Sequence, residues 1–206
     1  MRRRSAALHG VYVILNATPR VLELATAVLE AGVRIVQYRA KRGVDAFDLQ
    51  RLRKLTFEHD ALLILNDDWR AASVFDCDGV HLGPEDDGFA RVASVREALP
   101  NGLIGLSCCT VEEVRAANAA GADYLGVGSV YATASKNDAG APIGIGALRT
   151  LVRTSDAPVA AIGGITAETI TEIRAGGAAM AAVISAISNA ADPRRAARGL
   201  IDAWQA

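Results

Sequence analysis

At 206 residues with a formal net charge of -1 and a pI near 6.3, the chain is long enough for one well-buried domain and carries no basic surplus for nucleic acid or an anionic membrane. Hydrophobic residues make up 51% and aromatics only 5%, so the apolar mass is mostly Ala, Val, Leu and Ile, as helices packed on a parallel sheet require. Cys77, Cys108 and Cys109 form no CxxC pair, which argues against a disulfide framework or a zinc site and makes a reducing cytoplasm the simplest compartment.

Met1-Arg2-Arg3-Arg4 has the charge of a signal-peptide start, but the apolar run after it is too short and leads to Pro19. Residues 1–10 are therefore expected to be a frayed basic tip. From there the chain alternates β-branched runs, polar or glycine turns and amphipathic segments. Strands are expected at Val11–Leu15, Arg34–Arg39, Leu62–Leu65, Gly79–Leu82, Leu103–Ser107, Tyr124–Val127, Val159–Ile162 and Ala179–Ile184. The intervening segments read as helices. Pro19–Ala31 opens with proline in its first turn and closes before Gly32. Thr110 with Glu113 forms a capping box, and Thr166 with Glu168 and Thr169 opens the next-to-last helix.

Eight strand–helix pairs predict a single-domain α/β chain folded as a (β/α)₈ TIM barrel over residues 1–206. A doubly wound open sheet is the competitor, but it usually needs fewer strands, and no GxGxxG follows the first one. No apolar stretch is long enough to span a bilayer. A homo-oligomer is left open.

In such a barrel the site lies at the C-terminal ends of the strands, and the unusual polar residues fall there. Gln37, Arg39 and Lys41 alternate on strand two, so they share one face and could bind phosphate oxygens. The bland alternative is solvated strand-end charge. Asp67 and Asp86 follow strands three and four, where magnesium could take one or two carboxylates; each could instead cap a helix, as Asp68 is expected to do. Gly163-Gly164 and Ile184-Ser185 follow strands seven and eight, where backbone N–H groups often bind phosphate, although paired glycines also serve close packing. Ser107 ends strand five. Thr133, Ser135 and Lys136 lie in the loop after strand six, whose length permits a lid over 130–141. His81 reads as a hydrogen-bonded core or rim histidine, and Cys108 and Cys109 read as packing residues.

Seven stretches then match a known family in order. They are Gln37-Tyr38-Arg39-Ala40-Lys41, Asn66-Asp67-Asp68, Gly79 to Gly83, Gly121 to Gly128, Thr133-Ala134-Ser135-Lys136, Ala161 to Ile165 and Val183 to Ile187. Together they resemble thiamine-phosphate synthase. The resemblance implies a transferase that joins a hydroxymethylpyrimidine diphosphate to a hydroxyethylthiazole phosphate, releasing pyrophosphate and giving thiamine monophosphate. It implies Mg²⁺ on Asp67 and Asp86, and Arg39, Lys41, Lys136 and Ser107 as the catalytic group. Gln37, Arg39, Lys41, Asn66 and Lys136 would hold the diphosphate, with Ser107 near the pyrimidine ring and Tyr12 packed on it. Thr133, Ser135, Gly164, Ile184 and Ser185 would hold the thiazole phosphate. Tyr38, Ala40 and Ala134 count with the substrate-binding stretches that contain them.

The chain departs from the pattern at Asn16, Pro84, Cys109, Ser129, Ala132 and Ser135, where relatives often carry Asp, Gln, His, Pro, Pro and Thr. A thiazole tautomerase of the same superfamily, or a catalytically silent phosphate-binding barrel, are the competing readings. The joint presence of Arg39, Lys41, Asp67, Asp86 and Lys136 argues against both.

Overall fold

A computed structural model describes residues 8–133, 135 and 141–206. Eight parallel strands close on themselves in sequence order: β1 Gly10–Asn16, β2 Ile35–Arg39, β3 Leu62–Asn66, β4 Gly79–Leu82, β5 Leu103–Cys108, β6 Tyr124–Val127, β7 Val159–Ile162 and β8 Met180–Val183. Around them run α1 Val21–Glu30, α2 Ala46–Glu58, α3 Trp69–Val74, α4 Val92–Ala98, α5 Val111–Ala120, α6 Gly144–Thr154, α7 Ile170–Ala175, α8 Ser185–Ser188 and α9 Pro193–Gln205.

Side-chain alternation along each strand divides the apolar mass into two cores. Val13, Val36, Leu63 and Val80 point outward and join the helices in the larger cluster. Tyr12, Ile14, Ile35, Ile64, Tyr124 and Met180 fill the barrel interior in the smaller one. Leu8, only 3% exposed, belongs to that interior cluster, and Gly10 already pairs with Met180. The expected frayed tip therefore does not include residues 8–10; residues 1–7 lie outside the described residues.

The same alternation corrects two expected site residues. Gln37 and Arg39 face the interior, so Tyr38 and Ala40 must face the helices, and both pack into the outer cluster. The Tyr38 hydroxyl sits by Asp45 and Asp48 at the start of α2, and burial and those charges push its pKa up.

Two helix starts also differ from expectation. Val21 N donates to Thr18 O, so Pro19 occupies the second position of a turn and α1 begins after it. A second turn, Thr166 to Thr169, precedes α7, which starts at Ile170. The Thr110–Glu113 capping box and the Asp68 cap on Ala71 N form as expected.

At the N-terminal ends of the strands an acid locks neighbours together twice. Asp78 accepts from Leu63 N at 2.9 Å and pairs with Arg53 of α2 at 3.2 Å. Asp123 accepts from Ile104 N at 2.8 Å and pairs with Arg96 of α4. These bonds tie a strand, its neighbour and a helix at the face opposite the polar rim.

Candidate active site

The C-terminal rim opens into a cavity of about 370 Å³. Its walls bring together Gln37, Arg39, Lys41, Asn66, Asp67 and Asp86 from the first half of the barrel. Ser107, Thr133, Ser135, Gly164, Ile184 and Ser185 line it from the second half. Residues nearly 150 positions apart meet because each sits at or just beyond the C-terminal end of a strand. Ala134 and Lys136 lie outside the described residues, as do residues 137–140 of the 130–141 loop.

On one side the groups are ionic. Lys41 Nζ is 2.6 Å from Asp67 Oδ2. Asp67 leaves β3 in the left-handed region, φ +67°, with its N–H donating to His81 O at 2.9 Å. That turn swings its carboxylate into the cavity and leaves Asp68 to cap α3. Asp86 accepts from Gly83 N across the loop after β4, so it closes this turn instead of capping a helix. Desolvation and the adjoining Asp67 carboxyl raise the Asp86 pKa to about 6, against the opposing pull of the Gly83 N–H. Arg39 Nη1 donates to Asn16 Oδ1 at 3.1 Å, so the end of β1 orients the guanidinium.

Two carboxyls pressed together, one resisting ionisation, are what a divalent cation relieves. Among the described residues no group of three or more His, Cys, Asp or Glu could hold a metal. That donor set suits Mg²⁺, which takes one or two carboxylates and completes its shell with water and phosphate oxygens.

Across the cavity the surface is backbone-rich. Gly163 and Gly164 have φ +104° and +65°, conformations that L side chains rarely adopt. A Cβ on Gly164 would lie 2.5 Å from Ala132 O and 2.7 Å from Tyr131 Cβ. The pair thus lines the cavity and lets the loop after β6 pack onto β7, the close packing that was one of its two readings. Ser135 N donates to Thr133 Oγ1 at 3.1 Å, and Ser185 opens α8 beside them on the rim.

The floor is a hydrogen-bonded chain that sequence reasoning did not assemble. Gln37 Nε2 donates to Tyr12 Oη at 2.7 Å, and Tyr12 Oη is 3.1 Å from Tyr124 Oη. Tyr124 Oη is 3.1 Å from His81 Nδ1, whose Nε2 is 3.0 Å from Ser107 Oγ. Two glycines make room for the rings. A Cβ on Gly105 would overlap the Tyr124 ring, and one on Gly126 would lie 2.8 Å from His81 Cε1. The available signal was parity: Tyr12, His81 and Tyr124 all occupy inward positions in a chain with only four tyrosines.

The cysteines divide. Cys108 and Cys77 are buried, which raises both thiols to about 12. Cys109 is exposed and lines the cavity, with Sγ 3.2 Å from Gly128 O, so the expected packing role does not hold for it.

A family model described as thiamine monophosphate synthase matches residues 11–187. The chain is 45% identical over 183 residues to a thiamine-phosphate synthase of Archaeoglobus fulgidus, covering 87% of this chain and 85% of that protein. It is 44% identical over 199 residues to a protein of Symbiobacterium thermophilum named thiamine biosynthesis bifunctional protein ThiM/ThiE, where it spans 94% of this chain and 40% of the longer one. A solved structure of thiamine phosphate pyrophosphorylase from Pyrococcus furiosus superposes with a TM-score of 0.85 at 35% identity, over 98% of each chain.

Proposed function

The chain belongs to the thiamine monophosphate synthase family, and on that premise we propose how its rim divides the work of joining a pyrimidine diphosphate to a thiazole phosphate. The chain acts as one barrel domain. Arg39, Lys41 and Asn66, with Lys136 from the loop after β6, hold the diphosphate. Asp67 and Asp86 hold Mg²⁺, which when bound supplies positive charge to the departing oxygens. Thr133, Ser135, Gly164, Ile184 and Ser185 hold the thiazole phosphate.

The reaction breaks the bond between the pyrimidine methylene carbon and the diphosphate oxygen, and the electron pair leaves with pyrophosphate. The thiazole nitrogen lone pair then forms the new C–N bond. Arg39, Lys41 and Lys136 lower the barrier by neutralising charge that grows as the diphosphate departs. No proton has to be removed from either reacting atom. His81, with both ring nitrogens already hydrogen-bonded, fits an orienting role better than that of a base. Two substrates bound side by side in the one cavity would displace the water that would otherwise trap the electron-poor carbon.

The observation that carries this reading is the Lys41–Asp67–Asp86 cluster on the wall of the same cavity as the glycine-rich arc. Its partners are small phosphorylated molecules, which supports a cytoplasmic enzyme. No helix among the described residues is long and apolar enough to cross a membrane. The test is to mix both phosphorylated halves with the protein and Mg²⁺. Thiamine monophosphate and pyrophosphate are expected in equal amounts; folded protein that yields neither defeats the reading.

A further inference from the structure

We propose that His81 and Tyr124 are positioning residues that commit the Ser107 hydroxyl to donate into the cavity, toward an acceptor nitrogen of the pyrimidine ring. The identity of the ligand rests on the synthase reading; the proton order does not.

The donors and acceptors along the floor chain fix the order of its protons. Gln37 Nε2 can only donate, so Tyr12 Oη accepts from it. Burial raises the pKa of both phenols, so each keeps its proton and must place it. Tyr12 has its accepting bond filled by Gln37, and its proton goes to Tyr124 Oη, 3.1 Å away. Tyr124 then accepts from Tyr12, and its own proton goes to His81 Nδ1, also 3.1 Å away. A neutral imidazole whose Nδ1 accepts carries its proton on Nε2, which lies 3.0 Å from Ser107 Oγ. Ser107 therefore accepts from His81, and its hydroxyl proton is turned away from the ring and into the space it lines.

The reverse order fails at the other end. A proton on Nδ1 would drive the Tyr124 proton toward Tyr12, which would then receive two donors at one oxygen and have to turn its own proton out of the chain from a side chain only 2% exposed.

The rings cannot turn to escape this order. Tyr12 and Tyr124 meet edge-on with centroids 6.1 Å apart, and His81 lies 5.4 Å from Tyr124. Gly105 and Gly126 back the two rings closely. Tyr124 is fully buried, while Tyr12, His81 and Ser107 line the cavity. Any influence of its hydroxyl on a ligand must pass through a neighbour. Pyrimidine ring nitrogens only accept, so a fixed donor at Ser107 selects and orients such a ring.

Side-chain nitrogen NMR of His81 in the folded, ligand-free protein reads the tautomer directly. We expect a protonated Nε2 and a bare Nδ1; an Nδ1–H form or a doubly protonated ring overturns the proposal. Tyr124→Phe keeps the packed ring and removes the donor to Nδ1. We expect mixed His81 tautomers, with KM for the pyrimidine diphosphate raised about tenfold and KM for the thiazole phosphate within about twofold. An unchanged tautomer with an unchanged pyrimidine KM overturns it. A second comparison leaves the tyrosine alone. His81→Gln keeps an N–H for Ser107, so its pyrimidine KM should lie at least about fivefold below that of His81→Ala; equal values overturn the proposal. Absence of thiamine monophosphate with the wild-type protein would defeat the synthase reading and leave the tautomer result standing on its own.

Discussion

As a proposed Mg²⁺ ligand, Asp86 would trade stability for binding. Its folded pKa of about 6 lies above the ordinary 3.8, so between those values the folded protein holds a proton that the unfolded chain has released. That contribution is present at low pH and lost as pH rises through about 6. Metal-free Asp86→Asn should therefore melt higher than wild type at about pH 8 and no higher at about pH 4, as thermal scans in chelator would show. A wild-type advantage at the higher pH would mean that the two carboxyls do not oppose each other. Metal binding needs both carboxylates ionised, so Mg²⁺ affinity should fall as pH drops through about 6, measured by titration. Asp67→Asn should lower kcat by about 10²-fold or more while thiazole phosphate binding changes little. Near-normal Mg²⁺-dependent turnover would remove Asp67 from the site.

At the scale of elements, the strand ends serve opposite purposes. The N-terminal ends hold the barrel closed through Asp78 and Asp123, and neither acid touches the cavity. Asp78→Ala would strand the Leu63 N–H and leave Arg53 without its buried partner, costing about 2–4 kcal/mol. For a chain of this size that is a fall in melting temperature of about 5–15 °C. Turnover at a temperature where the variant stays folded should be nearly unchanged; a large loss there would tie the bottom of the barrel to the chemistry. This division explains what the sequence made legible. Strands such as Gly79–Leu82 and Tyr124–Val127 were readable to the residue, because short, mostly apolar runs between Asp and Gly turn residues have few alternatives. Pro19 and Thr166 misled because a turn before a helix uses the same residue types as a helix start. Tyr38 and Ala40 fell on the wrong face because a motif names consecutive residues, whereas a strand presents alternate ones. The floor chain was legible only as the inward parity of Tyr12, His81 and Tyr124, since its hydrogen bonds with Gln37 and Ser107 form only once five strands are in register.

At the scale of the whole molecule, barrel closure sets two polar arcs, the proposed anion sites, facing each other across one cavity. The ionic arc runs along β2, β3 and the loop after β4, and the backbone-rich arc follows β7 and β8. Their independence can be tested by adding charge to one arc only. Ser185 is exposed and is the first residue of α8, a position that tolerates an acid, so Ser185→Asp should leave the fold intact. A negative charge there would lie beside the proposed thiazole phosphate. At about 4–5 Å and an effective dielectric near 20–40, repulsion of roughly 2–4 kcal/mol weakens that substrate by about 30- to 10³-fold. The diphosphate arc is farther off and exposed to solvent, so pyrimidine diphosphate affinity should stay within about threefold. Gly164→Val is a poorer probe, because its Cβ alone would press on Ala132 O and Tyr131 and displace the loop after β6. Separate titration of each substrate into Ser185→Asp decides the matter. Equal weakening of both would show one continuous anion site, and unchanged thiazole phosphate binding would move that phosphate off the arc formed by Gly164 and Ser185.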